Sequence, residues 1–148
     1  MLSNMDEVEA YRLLIADVYE LAGISRRTSE KLANAAGQTA ARWHVLSVLS
    51  DGPRTVPAAA RRLGLATQSV QRVVTDLIAS GHLTAQPNPD HARAPLVALT
   101  GKGRASVDEL FTSSRDDREG VVARAGVTAK QLAQAGKVLR ALTEALRR

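Results

Sequence analysis

Five polar side chains share one face of a short predicted helix in the middle of the chain. Between Gly64 and Gly81, apolar residues recur at spacings of three and four, the period of a helix with one buried face, which we expect to consist of Val70, Val73, Val74, Leu77 and Ile78. The opposite face carries Gln68, Ser69, Gln71, Arg72 and Thr75. Gln can pair with adenine, Arg with guanine, and Ser or Thr with base edges or phosphates. This face therefore suits the major groove of duplex DNA, although a solvated helix surface would also be polar.

Charged and capping residues surround this face. We expect Thr67 to cap the helix and to border its polar side. Arg54 and Arg62 precede the helix, together with Arg61, and can neutralise phosphates, although an arginine taken singly is more often a solvated surface charge. We expect the single acid of the helix, Asp76, to lie off the DNA side because phosphates would repel it.

A proline-bearing loop follows, in which His91 and Arg93 stand near a projecting tip. The narrow minor groove has a strongly negative potential that favours an inserted Arg. The loop therefore predicts a second DNA contact, beside the alternative that these two residues only keep the loop soluble.

The apolar spacing predicts the order helix, helix, short helix, helix, hairpin, helix, helix. The first helix starts at Val8 and extends to about Leu32, and the fifth runs from Gly101 toward Val122. The expected caps of the second, third and last helices are Thr39, Thr55 and Thr128. The predicted strands include Leu83 and Ala85, then Leu96 to Leu99. The last helix carries a seam typical of a coiled coil, formed by Leu132, Ala135, Leu139, Leu142 and Leu146.

Composition favours a single helical domain with a polyanionic partner. The 148 residues are 45% hydrophobic and only 3% aromatic, so Leu, Val and Ala must build the core. The net charge of +5 is concentrated in residues 51–104, which carry +4, whereas residues 1–50 carry −1 and residues 105–148 carry +2. No cysteine, secretion signal or apolar run of about 20 residues is present, so we expect a cytoplasmic protein.

The fold class expected from these elements is mainly α with a small β-hairpin. A short helix, the turn Gly64-Leu65-Ala66, a second helix and then a hairpin form a winged helix-turn-helix, with the hairpin as the wing. The segment from Asp90 to Gly103, DHARAPLVALTGKG, resembles the wing of the MarR family of bacterial regulators. The segment from Thr67 to Leu83, TQSVQRVVTDLIASGHL, similarly resembles that family's recognition helix and the Gly that follows it.

The resemblance implies one MarR-like domain over residues 1–148. Residues 39–104 would form the DNA-binding winged helix, and residues 1–35 and 105–148 would supply helices that join two copies into a homodimer. Members of the family commonly repress transcription from inverted-repeat operators and release DNA when a small phenolic or lipophilic ligand binds. Ala92 stands where a basic residue is frequent in the family, which leaves Arg93 as the principal cation of the wing.

Candidates for a ligand pocket lie on the helices that would border such a cavity: Tyr11, Tyr19, Trp43, His44 and Phe111. Ordinary core or interface packing is the alternative for each of them. The three His residues are too scattered to indicate a metal site, and we expect no cofactor. No nucleophile motif or glycine-rich phosphate loop indicates an enzyme. A winged helix that serves only as a protein-interaction scaffold remains the alternative to a DNA-binding regulator.

Overall fold

The computed structural model describes residues 5–148, so residues 1–4 of the predicted N-terminal dimerisation segment lie outside the described part. Within it, the helices are α1 (Glu7–Ala35), α2 (Ala40–Val48), α3 (Val56–Leu63), α4 (Thr67–Ala79), α5 (Gly101–Ser113), α6 (Arg115–Ala125) and α7 (Ala129–Leu146). The strands are β1 (Arg54–Thr55), β2 (Leu83–Gln86) and β3 (Leu96–Leu99). The expected class, mainly α with a small β-hairpin, is confirmed.

Three predicted side-chain caps are present. Thr39, Thr55 and Thr128 each accept a hydrogen bond from a backbone N–H in the first turn that follows, at 3.2 Å in each case, as predicted. Thr128 and Gln131 also form the reciprocal bonds of a capping box. The predicted cap at Thr67 is wrong, because Thr67 is already helical and Ala66 occupies the N-cap without a side-chain bond.

The chain divides into two compact units, residues 1–110 and residues 111–148. The core of the first unit consists of small and aliphatic side chains from its helices and sheet, with one tryptophan: Ala33, Trp43, Val45, Leu46, Leu49, Val56, Ala59, Ala60, Val70, Val74, Leu77, Leu83, Val97, Ala98, Val107 and Leu110. Ile78, which was expected on the buried face of α4, is 40% exposed. At about 100° per residue it lies roughly 80° around the helix from Val70, at the edge of the apolar stripe.

The sheet is antiparallel, with strand order β1-β3-β2. The wing hairpin pairs Leu83 with Leu99 and Gln86 with Leu96, which confirms the predicted strands. The third strand, β1, pairs Arg54 with Val97 and was not predicted, since two residues are too few to show an alternating pattern. Because β1 runs directly into α3, the sheet connects the wing to the start of the helix-turn-helix.

The predicted fifth helix is too long. α5 ends at Ser113 and α6 begins at Arg115, so the chain has one more helix than the pattern predicted. Serine side chains compete with the helical ladder for backbone hydrogen bonds, which favours a break at Ser113-Ser114. Arg118 in the second unit donates to the Phe111 carbonyl oxygen at 2.6 Å, and its guanidinium carbon lies 5.3 Å from the centre of the Phe111 ring. Neither α6 nor α7 buries any of its residues in this chain.

Candidate nucleic-acid interface

The turn before α4 is set by a left-handed glycine. Gly64 has a φ of +67°, a backbone conformation that side chains with a Cβ rarely adopt. This geometry lets the Leu65 N–H donate to the Ala60 carbonyl oxygen at 3.0 Å, which closes the C-terminus of α3 in a Schellman motif. The turn thus fixes the direction in which the chain enters α4, even though α4 has no side-chain cap.

Helix α4 has one face in the core and one in solvent. Val70, Val74 and Leu77 are at most 2% exposed and hold the helix to the first unit. The outer face borders a shallow surface depression of about 490 Å³, which we call the α4 depression, lined by Thr67, Gln68, Gln71, Arg72, Thr75 and Asp76. Five of the predicted reading residues are therefore together on this surface. Ser69 is also exposed on α4 but does not line the depression.

Asp76 is placed differently from the expectation. It lines the α4 depression one helical turn after Arg72, so the expectation that it lies off this face is wrong. No ion pair joins the two side chains within the described residues. The surface therefore combines one cation with one acid. An acid at this position can accept from a cytosine amino group or repel a phosphate.

Thr75 and Gln71 are linked on this face. The Thr75 hydroxyl donates to the Gln71 carbonyl oxygen at 2.9 Å and accepts from the Gln71 amide nitrogen Nε2 at 3.4 Å. The amide oxygen of Gln71 makes no hydrogen bond within residues 5–148. The Gln71 side chain is thus held in place while its amide oxygen and its second amide N–H are available to a ligand.

The wing loop is ordered by its own side chains. Asn88 donates from Nδ2 to the Ala94 carbonyl oxygen at 2.8 Å and accepts from the Asp90 N–H at 3.0 Å. His91 Nδ1 accepts from the Arg93 N–H at 3.3 Å. His91 and Arg93 are both exposed, so the loop presents the guanidinium of Arg93 to solvent. Asn88 was not predicted as a site residue, although an Asn that bonds to nearby backbone groups is a known turn signal.

A compact group of hydrogen bonds joins the end of α4, the start of the wing and the start of α5. The Thr100 hydroxyl donates to the Gly81 carbonyl oxygen at 2.6 Å and accepts from the Gly103 N–H at 3.1 Å. Lys102 donates from Nζ to the Ser80 carbonyl oxygen at 2.8 Å. Gly103 packs so closely on the wing that a Cβ there would lie 2.0 Å from the carbonyl oxygen of His82. These contacts were not predicted, and they hold the wing and α4 at a defined position relative to each other.

His82 lies in the same junction. Its Nδ1 is 2.7 Å from the Ser80 hydroxyl, which also accepts from Arg42 Nη2 at 3.4 Å. Burial lowers the pKa of His82, and the nearby charges of Lys102 and Arg42 lower it further. The imidazole therefore stays neutral to a lower pH than an exposed histidine would.

The remaining predicted DNA contacts lie elsewhere. Arg54 is half-buried, and its Nε donates to the Val48 carbonyl oxygen at 3.0 Å, so part of its guanidinium is already used inside the protein. Arg62 is exposed and lines a cleft with α1 and α2 rather than the α4 depression. Arg104, which was not predicted as a site residue, donates from both Nη atoms to the Ser50 carbonyl oxygen at 3.1 Å.

The predicted ligand residues have different environments. Tyr11 and Tyr19 on α1 are 38% and 76% exposed. Trp43 is buried in a cluster with Ala33 and Leu110, as the packing alternative expects. Phe111 lies under Arg118, and of the five only His44 lines the cleft with Arg62.

Residues 5–148 contain neither a cluster of metal-binding side chains nor a membrane-spanning helix. No group of three His, Cys, Asp or Glu side chains in that range could hold a metal ion. None of the helices in that range combines the length and the apolar character that a membrane span requires.

The architecture defines a class of protein. A helix-turn-helix whose second helix exposes a polar face, followed directly by an antiparallel hairpin, is a winged helix-turn-helix. Residues 36–94 match the model of the MarR family. The predicted resemblance to the MarR family is thereby confirmed over this segment.

A curated relative is similar over the greater part of the chain. The uncharacterized protein Rv2011c of Mycobacterium tuberculosis is 54% identical over 91 residues. The alignment covers 62% of this chain and 64% of the relative, so less than two thirds of the relative's length is matched.

Solved structures share the fold. The transcriptional regulator BldR from Sulfolobus solfataricus has a TM-score of 0.76 at 18% identity, covering 92% of this chain and 99% of that one. NadR in complex with 4-hydroxyphenylacetate has a TM-score of 0.71 at 14% identity, covering 97% and 96%. A mutant MarR from E. coli complexed with operator DNA has a TM-score of 0.62 at 20% identity, covering 93% and 99%.

Proposed function

We propose that this chain is a homodimeric, sequence-specific DNA-binding regulator that represses transcription and leaves its operator when a small ligand binds. The observation that carries the proposal is the two-sided α4, anchored by Val70, Val74 and Leu77 and open on the face that carries Gln71 and Arg72. A helix held in this way can enter a major groove while the protein body stays outside it.

In the proposed complex, the α4 residues contact base edges and the wing contacts the minor groove. Arg72 pairs with guanine, and the free amide oxygen of Gln71 accepts from an adenine or cytosine amino group. Thr67, Gln68, Ser69 and Thr75 complete the major-groove surface. Arg93 inserts at the wing tip beside His91, while Arg54 and Arg62 neutralise phosphates. The structure of E. coli MarR with operator DNA supports this proposal at the level of the fold.

Homodimerisation is proposed from the apolar side chains that each unit leaves in solvent. On α1, Val8 is 77% exposed and Leu21 is 68% exposed. On α7, the seam residues Leu132, Leu139 and Leu146 are 49%, 40% and 67% exposed. A second copy would remove these surfaces from water. Two copies of α4 about 34 Å apart would then match successive turns of B-DNA, so the operator would be pseudo-palindromic.

The proposal also includes release of DNA by a small ligand. NadR, which shares the fold, was solved with 4-hydroxyphenylacetate bound. We therefore include small phenolic or lipophilic effectors among the partners, with Tyr11, Tyr19, Trp43, His44 and Phe111 as candidate contacts. A screen of small phenols and lipophilic acids for release of bound DNA tests this part separately from DNA binding itself.

The first experiment is a DNA-binding titration over a range of salt concentrations. The duplexes are the chromosomal region beside the coding sequence of this chain and a scrambled version of the same length. We expect tighter binding to the chromosomal duplex and a steep loss of affinity as salt rises, because phosphate contacts release counterions. Equal affinity for both duplexes would contradict sequence-specific regulation. Absence of DNA binding would favour the protein-interaction scaffold, which the family match does not favour.

Two variants separate base reading from charge. Arg72→Ala should weaken the free energy of DNA binding by about 1–3 kcal/mol and reduce the sequence preference at one base position. Arg140→Ala removes the same charge from an exposed site on α7 and serves as the matched control. A uniform loss across all sequences with Arg72→Ala would mean that this residue contacts only phosphate. Arg93→Ala should weaken DNA binding chiefly on sites with AT-rich flanks. An equal loss of affinity on sites with and without AT-rich flanks would show that the wing does not enter the minor groove.

A further inference from the structure

Two side chains on the outer face of α4, Gln71 and Thr75, form a pair with a fixed direction of hydrogen bonding. The two residues are one helical turn apart, and both are exposed and line the α4 depression. The Thr75 hydroxyl donates its single proton to the backbone carbonyl oxygen of Gln71 at 2.9 Å. Toward the Gln71 side chain the hydroxyl oxygen can therefore only accept, and the amide nitrogen Nε2 of Gln71 lies 3.4 Å from it.

This pairing decides which way the Gln71 amide is turned. An amide rotated by half a turn would place its oxygen, instead of its nitrogen, against the Thr75 oxygen. Two acceptors would then face each other with no proton between them, because the proton of Thr75 is already given to the backbone. The pair therefore leaves the amide oxygen Oε1 and the second N–H of Gln71 together for an external partner.

Among the four bases, adenine matches this combination of one acceptor and one donor. In the major groove, adenine offers the N6 amino donor beside the N7 acceptor, whereas guanine offers two acceptors, O6 and N7. Cytosine offers its amino donor and thymine its O4 acceptor, so each of them satisfies one of the two groups. A guanine would place O6 against the Oε1 of Gln71 unless the amide turned over and lost its contact with Thr75.

We propose that Gln71 reads an adenine in the operator and that Thr75 is the positioning residue that holds Gln71 in the adenine-reading orientation. This inference rests on the proposed function, since α4 must first enter the major groove. Thr75 acts on the base through Gln71, because both of its hydrogen bonds are made to that residue. Exclusion of water from the groove strengthens the discrimination, because solvent then no longer competes for the exposed amide groups.

Gln68 provides a comparison on the same surface. It also lines the α4 depression, but the residue one turn later is Arg72, which has no acceptor in its side chain. Within the part of the chain that the structure describes, no side-chain hydrogen bond fixes the direction of the Gln68 amide. Removal of the Thr75 hydroxyl should therefore change the base preference that depends on Gln71 and leave any preference that depends on Gln68 unchanged.

The experiment begins with selection of preferred sites from a pool of random duplexes by the full chain and by Gln71→Ala. We expect the unmodified chain to enrich a defined site, and Gln71→Ala to lose the preference for adenine at one position of it. That adenine is then replaced by guanine, by 7-deazaadenine, which lacks the N7 acceptor, and by unsubstituted purine, which lacks the N6 amino group. Each replacement should weaken binding of the unmodified chain by about threefold or more and change binding of Gln71→Ala little.

Variants at Thr75 test the positioning role. Thr75→Val keeps the branched shape but removes the hydroxyl, and it should reduce the ratio of adenine to guanine affinity at that position by about threefold or more. Thr75→Ser keeps the hydroxyl and should retain the ratio. Thr28→Val is the matched control, because the exposed Thr28 donates to the Ile24 carbonyl oxygen at 3.1 Å in the same way, on α1. A purely structural effect would weaken binding to all duplexes equally and leave the ratio unchanged.

The possible failures can be told apart. If the unmodified chain enriches no sequence, the proposed function is wrong and the adenine assignment is wrong with it. If a site is enriched but Gln71→Ala keeps every adenine preference, the assignment to Gln71 alone is overturned. Full affinity for 7-deazaadenine would contradict the contact with N7, and full affinity for purine would contradict the contact with N6. An adenine to guanine ratio that Thr75→Val leaves unchanged would contradict the positioning role of Thr75.

Discussion

The close contact between Gly103 and the wing makes Gly103→Ala the most direct test of this fold. A Cβ at residue 103 would lie 2.0 Å from the carbonyl oxygen of His82, 3.1 Å from its carbonyl carbon and 3.2 Å from Leu99 Cδ2. The first two neighbours are backbone atoms, which cannot rotate away. The start of α5 and the segment just before β2 must therefore separate by about 1.4 Å, from 2.0 Å to the 3.4 Å at which ordinary contact begins.

The cost of this separation can be worked from the contacts it disturbs. Overpacking of this kind costs about 1–3 kcal/mol. The hydrogen bonds of Thr100 to Gly81 and to Gly103 lie in the same region. Loss of either bond would lower the free energy of unfolding by about 1 kcal/mol. We expect Gly103→Ala to lower the free energy of unfolding by about 3 kcal/mol.

Urea denaturation, followed by fluorescence and circular dichroism at one fixed protein concentration, measures this change. Gly101→Ala is the matched control, because a Cβ there meets nothing within 4 Å and the residue also belongs to α5. It should change stability by less than about 1 kcal/mol. Equal midpoints and slopes for the two variants would refute the reasoning about the His82 contact.

Three further predictions concern charge, pH and assembly. Asp76→Asn should raise affinity for all duplexes by roughly threefold or more at low salt, because it removes an acid from the α4 depression; a loss confined to sites with one particular cytosine would instead show that Asp76 reads that base. Because the folded pKa of His82 lies below its usual value of about 6.5, the unfolded chain takes up protons first, and stability should be full above that pH and decrease as the pH falls below it. Thermal unfolding from pH 8 to pH 5 should show a smaller decrease for His82→Gln, and an unchanged decrease would contradict the role of this residue. Leu139→Lys should convert a dimer into a monomer in sedimentation velocity, whereas Gln134→Lys, also exposed on α7, should leave assembly intact; two monomeric or two dimeric variants would argue against the α7 seam.

Local signals predicted most of the fold. The caps at Thr39, Thr55 and Thr128 could be predicted because each bond spans only three residues. The α4 stripe was predictable for the same reason, since helical periodicity places Val70, Val74 and Leu77 together without reference to the rest of the chain.

The features that were not predicted depend on competition between secondary-structure elements or on contacts between residues far apart in the sequence. The break at Ser114 depends on a balance between two helical continuations that apolar spacing does not measure. The lack of space for a side chain at Gly103 is due to the backbone of His82, which lies 21 residues earlier in the chain. In the same way, the cleft lined by Arg26, His44 and Arg62 takes its residues from three helices, so that no single segment of the sequence indicates it.

The adjacent residues Trp43 and His44 give α2 two different environments. Trp43 is 8% exposed beside Ala33 and Leu110, and it is the single tryptophan of the chain, whereas His44 lines the surface cleft that also contains Arg62. Indole emission therefore reports the integrity of the interior without any attached label, and the imidazole resonances of the next residue report what occupies the surface. The chain thus carries two intrinsic spectroscopic probes side by side, so that loss of structure and ligand uptake can be followed independently in one unmodified sample.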